Sequence, residues 1–259
     1  YERHIELVSL AEQWLENEVR TKGRKLTPQF DAPAEPGMFA AQVAPLLRGL
    51  LAEATGDPDS PYKRLVLEWR ATPEILNFVN SAEFEKLALT GPLTPDHVIR
   101  TKALPLVISE PDFGDIGDQL SEGITAYRRK YNEYFDRMVA DKRVERIRLD
   151  DFPRIVLIPG VGLLAWGDSK KAARIAADIY EHTIRVKTLV HATGEYQALH
   201  EGDLFDVEYW PLEQAKLGKA KPKALHGQVA VSYTHLTLPT ILRVATCGVA
   251  RLVEPHLTR

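Results

Sequence analysis

Ile155-Val156-Leu157-Ile158-Pro159-Gly160-Val161-Gly162-Leu163-Leu164-Ala165-Trp166-Gly167-Asp168-Ser169 is the stretch that decides the fold class. Two short apolar runs separated by a Pro-Gly-Val-Gly turn read as two buried strands, because a run too short for a helix and bounded by turn residues packs best on both faces of a sheet. Gly167-Asp168-Ser169 then starts a helix, with Asp168 and Ser169 as the capping pair. Beyond it Ala172, Ala176, Ile179, Thr183, Val186 and Val190 recur at alternating steps of four and three, so one face of that helix is expected to be buried.

Working back toward the N-terminus, Arg64-Leu65-Val66-Leu67-Glu68-Trp69 has the length and residue types of a strand. Thr72-Pro73-Glu74-Ile75 follows it as a capped helix start with proline in the first turn. Pro105-Leu106-Val107-Ile108 reads as another short buried strand, and Ile116 to Val139 as a long helix whose first turns are weakened by Gly117 and Gly123. A further apolar helix is expected from Phe39 to Ala54, after a proline-rich connector from Thr27 to Gly37. The opening segment spaces Ile5, Val8, Ala11, Leu15 and Val19 as an amphipathic helix ending near Gly23. A faint echo links Tyr1-Glu2-x-x-Ile5 with Tyr180-Glu181-x-x-Ile184 at one helical phase. Strands alternating with helices predict an α/β layered core.

Composition bounds the function. The 259 residues carry 33 basic and 36 acidic side chains mixed along the chain, a net charge of −3, which leaves no electrostatic footprint for nucleic acid or an anionic membrane. No stretch approaches the roughly 18 to 20 apolar residues that span a bilayer. Cys247 is the only cysteine, which excludes an internal disulfide and a multi-cysteine metal site and makes a reducing, cytoplasmic setting the expectation. Tyr1 is not a methionine and the first residues already read as helix, so the chain is expected to begin inside a domain.

Three blocks resemble class II aldolase/adducin-type domains: Leu93-Thr94-Pro95-Asp96-His97-Val98-Ile99-Arg100-Thr101-Lys102, Gly162-Leu163-Leu164-Ala165-Trp166-Gly167-Asp168-Ser169, and Glu201-Gly202-Asp203-Leu204-Phe205-Asp206-Val207-Glu208-Tyr209-Trp210-Pro211-Leu212-Glu213. The resemblance covers Tyr1 to Val231 and is nearest to bifunctional rhamnulose-1-phosphate aldolase/short-chain dehydrogenases. It implies a class II aldolase/adducin-like layered α/β/α core, incomplete at the N-terminus, with a truncated Rossmann start at the C-terminus. It divides the chain into residues 1–22, the last helix of a missing catalytic aldolase half; 23–214, a degenerate second half; 215–224, a linker; 225–231, the first strand of a truncated dehydrogenase; and 232–259, a non-native tail.

In that family the metal site resembles His-x-His-Pro-Asp with a later His-Gly-Leu. Three imidazoles on zinc leave an open position where the ion polarises the ketose oxygen. Here Pro92, Thr94 and Val161 occupy the three ligand positions, so no zinc is expected in this chain. The resemblance implies an intact parent that uses zinc and NAD, cleaves rhamnulose 1-phosphate to dihydroxyacetone phosphate and lactaldehyde, and oxidises the aldehyde. This chain alone is expected to be inactive. An oxidoreductase identity carried by the dehydrogenase part, and a non-catalytic adducin-like scaffold, are the alternatives.

Leu225-His226-Gly227-Gln228-Val229-Ala230-Val231 resembles the first strand of a short-chain dehydrogenase, which normally runs into a glycine-rich phosphate loop. The next glycine here is Gly248, and none of the nine tyrosines is followed by lysine four positions later. The tail resembles translated adapter read-through at a broken gene end. Lys219 to Lys223 reads as a solvated linker.

Arg100 and Lys102, between a helix start and a strand, are the candidates to face a substrate phosphate, with a solvated face as the alternative. Thr94 is expected to cap the turn holding His97. The eight histidines show neither His-x-His nor His-x-x-x-His spacing, so surface or helix-end roles are expected. Tyr127, Tyr131, Tyr134 and Phe135 at spacings of three and four are read as core or subunit packing, and a homo-oligomer is possible.

Overall fold

The computed structural model describes residues 1–59, 61–63 and 65–215. The linker after Ala215, the dehydrogenase-like strand and the tail expected from the sequence lie outside the described residues.

Four strands form one mixed sheet in the order β1-β4-β3-β2, with β1 at Val66–Arg70, β2 at Leu106–Val107, β3 at Ile155–Ile158 and β4 at Gly162–Gly167. β3 and β4 are the hairpin of the deciding stretch, pairing antiparallel with Ile155 opposite Ala165 and Ile158 opposite Gly162. β1 adds antiparallel to β4, and β2 adds parallel to β3. Gly162 is required here: its φ is +105°, and a Cβ would stand 2.4 Å from the Arg70 carbonyl oxygen of the neighbouring strand.

Both faces of the sheet are covered, and the period-two alternation of the hairpin assigns its residues. Val156, Ile158, Leu164 and Trp166 face α2 (Pro36–Leu50) and α6 (Ile116–Lys142). Ile155, Leu157, Leu163 and Ala165 face α3 (Pro73–Val79), α4 (Phe84–Ala88) and α7 (Lys170–Thr193). The expected layered α/β core is therefore present in the described residues, with a small mixed sheet; a Rossmann start falls outside them.

Helix starts follow the sequence closely. Thr72 accepts from the Ile75 amide and Ser169 from the Ala172 amide. Thr94 departs from expectation: its hydroxyl bonds the Asp96 carboxylate, 2.6 Å away, rather than a backbone amide. The buried face of α7 is also rotated, comprising Ala173, Ala176, Ala177, Tyr180, Thr183, Ile184 and Lys187. Ile179, Val186 and Val190 lie at its half-buried margin, because small alanines let the helix approach the sheet along the neighbouring stripe.

The opening helix, α1 (Glu2–Lys22), has no buried residue. Its stripe exists, but among the described residues nothing covers most of it.

Candidate functional site

Two of the blocks quoted above meet in space. The first forms a 3-10 turn, Pro95–His97, and α5, Val98–Thr101; the third forms α8, Glu201–Glu208, and α9, Pro211–Ala215. α8 packs against both the turn and α5.

Lys102 follows α5 with φ +62° and ψ 170°, a backbone conformation that side-chain-bearing residues rarely adopt and that persists only where the surroundings over-determine it. The residue is 5% exposed, and its ammonium lies 3.7 Å from the Glu208 carboxylate, an ion-pair distance outside hydrogen-bond reach. Glu208 is fully buried. Lys102 Nζ also sits 3.9 Å from the centre of the Tyr131 ring, a cation–π contact in a dry setting. Nζ has no hydrogen-bond partner among the described residues.

The carboxylate is held by hydroxyls. Tyr131 donates to Glu208 Oε1 at 2.8 Å and Tyr134 donates to Oε2 at 3.3 Å. The Tyr131 and Tyr209 hydroxyls share a further bond of 2.8 Å. A second ion pair, Arg154 with Asp150, acts on the first: Asp150 favours the Lys102 charge and Arg154 opposes it. Arg154 itself stacks 3.9 Å from the Trp166 ring.

Burial pushes the Lys102 amine below the ordinary lysine range, with Glu208 pulling it back. Burial likewise pushes the Glu208 carboxyl up, opposed first by Lys102 and then by the tyrosine hydroxyls. Tyr131 and Tyr134 are raised by burial and by the adjacent carboxylate, and Tyr209 is pushed up to about 12. The arrangement can hold a balanced pair of charges and a short chain of transferable protons away from water.

The solvated face considered for Lys102 is not found, because its side chain turns inward to Glu208. Arg100 is half-buried, so the two candidate phosphate residues occupy different environments. Tyr134 and Phe135 do pack, as expected, against Phe205 and Tyr209 of the α8 end, with Tyr131 tilted against Tyr134, whereas Tyr127 packs against the core beneath α2 and α6. The hydroxyls of Tyr131 and Tyr134 add a role that spacing alone did not reveal. Glu208 lay within a quoted block without being singled out.

A second buried lysine lies elsewhere. Lys187 of α7 is 1% exposed and donates to the Leu87 and Ala88 carbonyls at 2.9 and 3.3 Å. Those carbonyls end α4, where a cation is favoured. Burial pushes the Lys187 amine down to about 7. Tyr196, whose ring is 5.3 Å from Lys187 Nζ, donates to the Pro92 carbonyl.

Pro92 and Val161 stand at expected ligand slots and offer zinc no side-chain donor, and the Thr94 hydroxyl is committed to Asp96. Val161 is fully buried in the core, with its carbonyl taken by the Trp69 indole at 2.8 Å. The neighbouring Gly160 amide is taken by Asn80 Oδ1. Among the described residues no group of three or more His, Cys, Asp or Glu side chains is placed to hold a metal ion. This donor set does not fit zinc.

A layered α/β domain with these blocks defines a class of aldolase-type folds. The chain belongs to the family described as "Aldolase class II, second domain", whose profile matches residues 38–217. It is also 29% identical over 232 residues to "Uncharacterized oxidoreductase YuxG" of Bacillus subtilis (strain 168). That alignment covers 86% of this chain and 32% of the relative, so the chain spans about a third of that protein's length. No solved structure matches the chain significantly. No helix among the described residues is long and apolar enough to cross a membrane.

Proposed function

We propose that this chain acts as the second, metal-free aldolase-type domain of a longer cytoplasmic enzyme that joins a zinc-dependent sugar-phosphate aldolase to a nicotinamide-dependent dehydrogenase. The substrate of the whole enzyme is rhamnulose 1-phosphate, cleaved to dihydroxyacetone phosphate and lactaldehyde, and the aldehyde is then oxidised with NAD. The domain supplies framework, and its own residues perform no cleavage. Arg100 and Lys102 remain the residues assigned to the phosphate.

The observation that carries this reading is the fate of the ligand slots. Pro92, Thr94 and Val161 offer no imidazole, and Val161 is committed to the apolar core. A lyase of this kind needs three ligands and an open position on its ion. The family description, a second domain of a class II aldolase, supports a role beside a catalytic domain.

The test measures dihydroxyacetone phosphate released from rhamnulose 1-phosphate with added zinc, together with elemental analysis of the purified chain. This chain should release none and carry no stoichiometric zinc, while a chain as long as YuxG should do both. Turnover by this chain alone would refute the assignment.

The relative's description as an oxidoreductase favours one further reading, that nucleotide binding lies in this chain itself. A fluorescence titration with NADH decides it. Saturable micromolar binding would favour that reading over the framework role.

A further inference from the structure

The α5 turn is four residues long, and three of them are spent on the core, with Val98, Ile99 and Thr101 at 0%, 9% and 3% exposure. Arg100 is its one half-buried side chain. The chain leaving the turn is pinned from two sides. The Lys102 amide bonds the Val98 carbonyl, the Lys102 ammonium faces Glu208 of α8, and two residues on the Leu104 carbonyl accepts from the Tyr127 hydroxyl of α6 at 2.9 Å. Tyr131 and Tyr134, also on α6, hold Glu208 in turn. A single helical turn is not stable by itself, so these ties fix where Arg100 sits.

We propose that Lys102 is a positioning residue: it touches no phosphate itself, and by pairing with Glu208 it locks α5 so that Arg100 makes the contact. This division of labour rests on the phosphate reading of the two residues and separates what each of them does.

Charge and shape both separate the roles. A phosphate dianion brought to Lys102 Nζ would meet the Glu208 carboxylate, 3.7 Å from the same ammonium, and like charges in a dry setting repel strongly. At 5% exposure the lysine also offers an incoming dianion little open surface. A guanidinium suits phosphate better, since its planar fork donates to two oxygens at once. The backbone at Lys102, φ +62° and ψ 170°, carries the kind of strain that persists where the surroundings hold a functional segment in place.

Isothermal titration of the full chain with dihydroxyacetone phosphate tests the proposal. Arg100→Ala should lose affinity by roughly tenfold or more, the worth of a charged hydrogen bond. Lys102→Met leaves Glu208 buried without its counter-charge and should weaken binding on the order of tenfold through the disturbed seam. Lys102→Met/Glu208→Met is the deciding variant, because it has no ammonium yet keeps a matched apolar pair between α5 and α8. It should bind within about threefold of the wild-type chain. Were Lys102 to touch the phosphate, the double variant would lose as much as the single one, and that result overturns the positioning role while the phosphate reading stands. Lys102→Met binding as well as the wild-type chain overturns it too. If Lys102→Met does not fold, the double variant decides alone. No saturable binding by the wild-type chain, or Arg100→Ala equal to it, overturns the phosphate reading and the division of labour with it.

Discussion

Lys102 and Lys187 are both withdrawn from water, yet the regions around them differ in kind. Lys187 lies mid-helix in ordinary backbone geometry, and its ammonium is answered by two carbonyls at the end of α4. Lys102 stands in a rare backbone conformation, is answered by a carboxylate, and belongs to a group of charges and tyrosine hydroxyls. Burial of a lysine is thus insufficient to mark a site. Strain, a buried counter-charge and unspent donor capacity at one place make the Lys102 region the stronger candidate.

The widest separation between the regions should come from removing the counter-charge. Glu208→Ala leaves the Lys102 ammonium buried with no carboxylate beside it, and breaking a buried pair on one side costs about 3–5 kcal/mol. Urea unfolding should show a loss of that size. The double variant Lys102→Met/Glu208→Met should recover most of it, since an apolar pair carries no desolvation penalty. A loss below about 1 kcal/mol in the single variant would mean that the pair does not form as described.

Lys187 responds to pH instead. Its folded-state amine is pushed down to about 7, whereas in the unfolded chain it titrates near 10.5. Between these values the unfolded chain binds more protons, so this lysine's contribution to stability rises as pH rises from 7 toward 10.5 and is lost as pH falls. Relative to Lys187→Met, the wild-type chain should gain at most about 1.4 kcal/mol per pH unit across that window. Denaturant melts of both proteins at pH 7, 8 and 9 check it. A constant difference would place the Lys187 amine outside that window.

How much of this was legible depends on what each feature leaves in the sequence. The hairpin, its glycines and the caps at Thr72 and Ser169 are local, and local chemistry shows as pattern. Lys102 was visible as a candidate because it sits in a family block, but its inward direction depends on α8, more than a hundred residues later, and no spacing carries that. Glu208 looked like one more acidic residue on a short helix. Lys187 had a readable sign, since Ala176, Tyr180, Thr183 and Lys187 recur at steps of four, three and four. The neighbouring stripe of Ile179, Val186 and Val190 gave a competing phase, and the competing phase read as more apolar.

The smallest effect isolates the backbone at Lys102 from its charge. With Glu208→Gln as a common background, Lys102→Gly and Lys102→Ala both remove the ammonium and differ only in the β-carbon. At φ +62° and ψ 170° a β-carbon is strained by about 1–3 kcal/mol, while glycine is at ease. Glycine, however, loses about 0.4–1 kcal/mol through the greater freedom of its unfolded chain. The net expectation is that the glycine variant is more stable than the alanine variant by about 1 kcal/mol. Paired urea melts resolve a difference of that size, and an alanine variant equal to or above glycine would show that no strain is stored at this residue. In that case the Lys102 region would differ from that of Lys187 through its carboxylate alone.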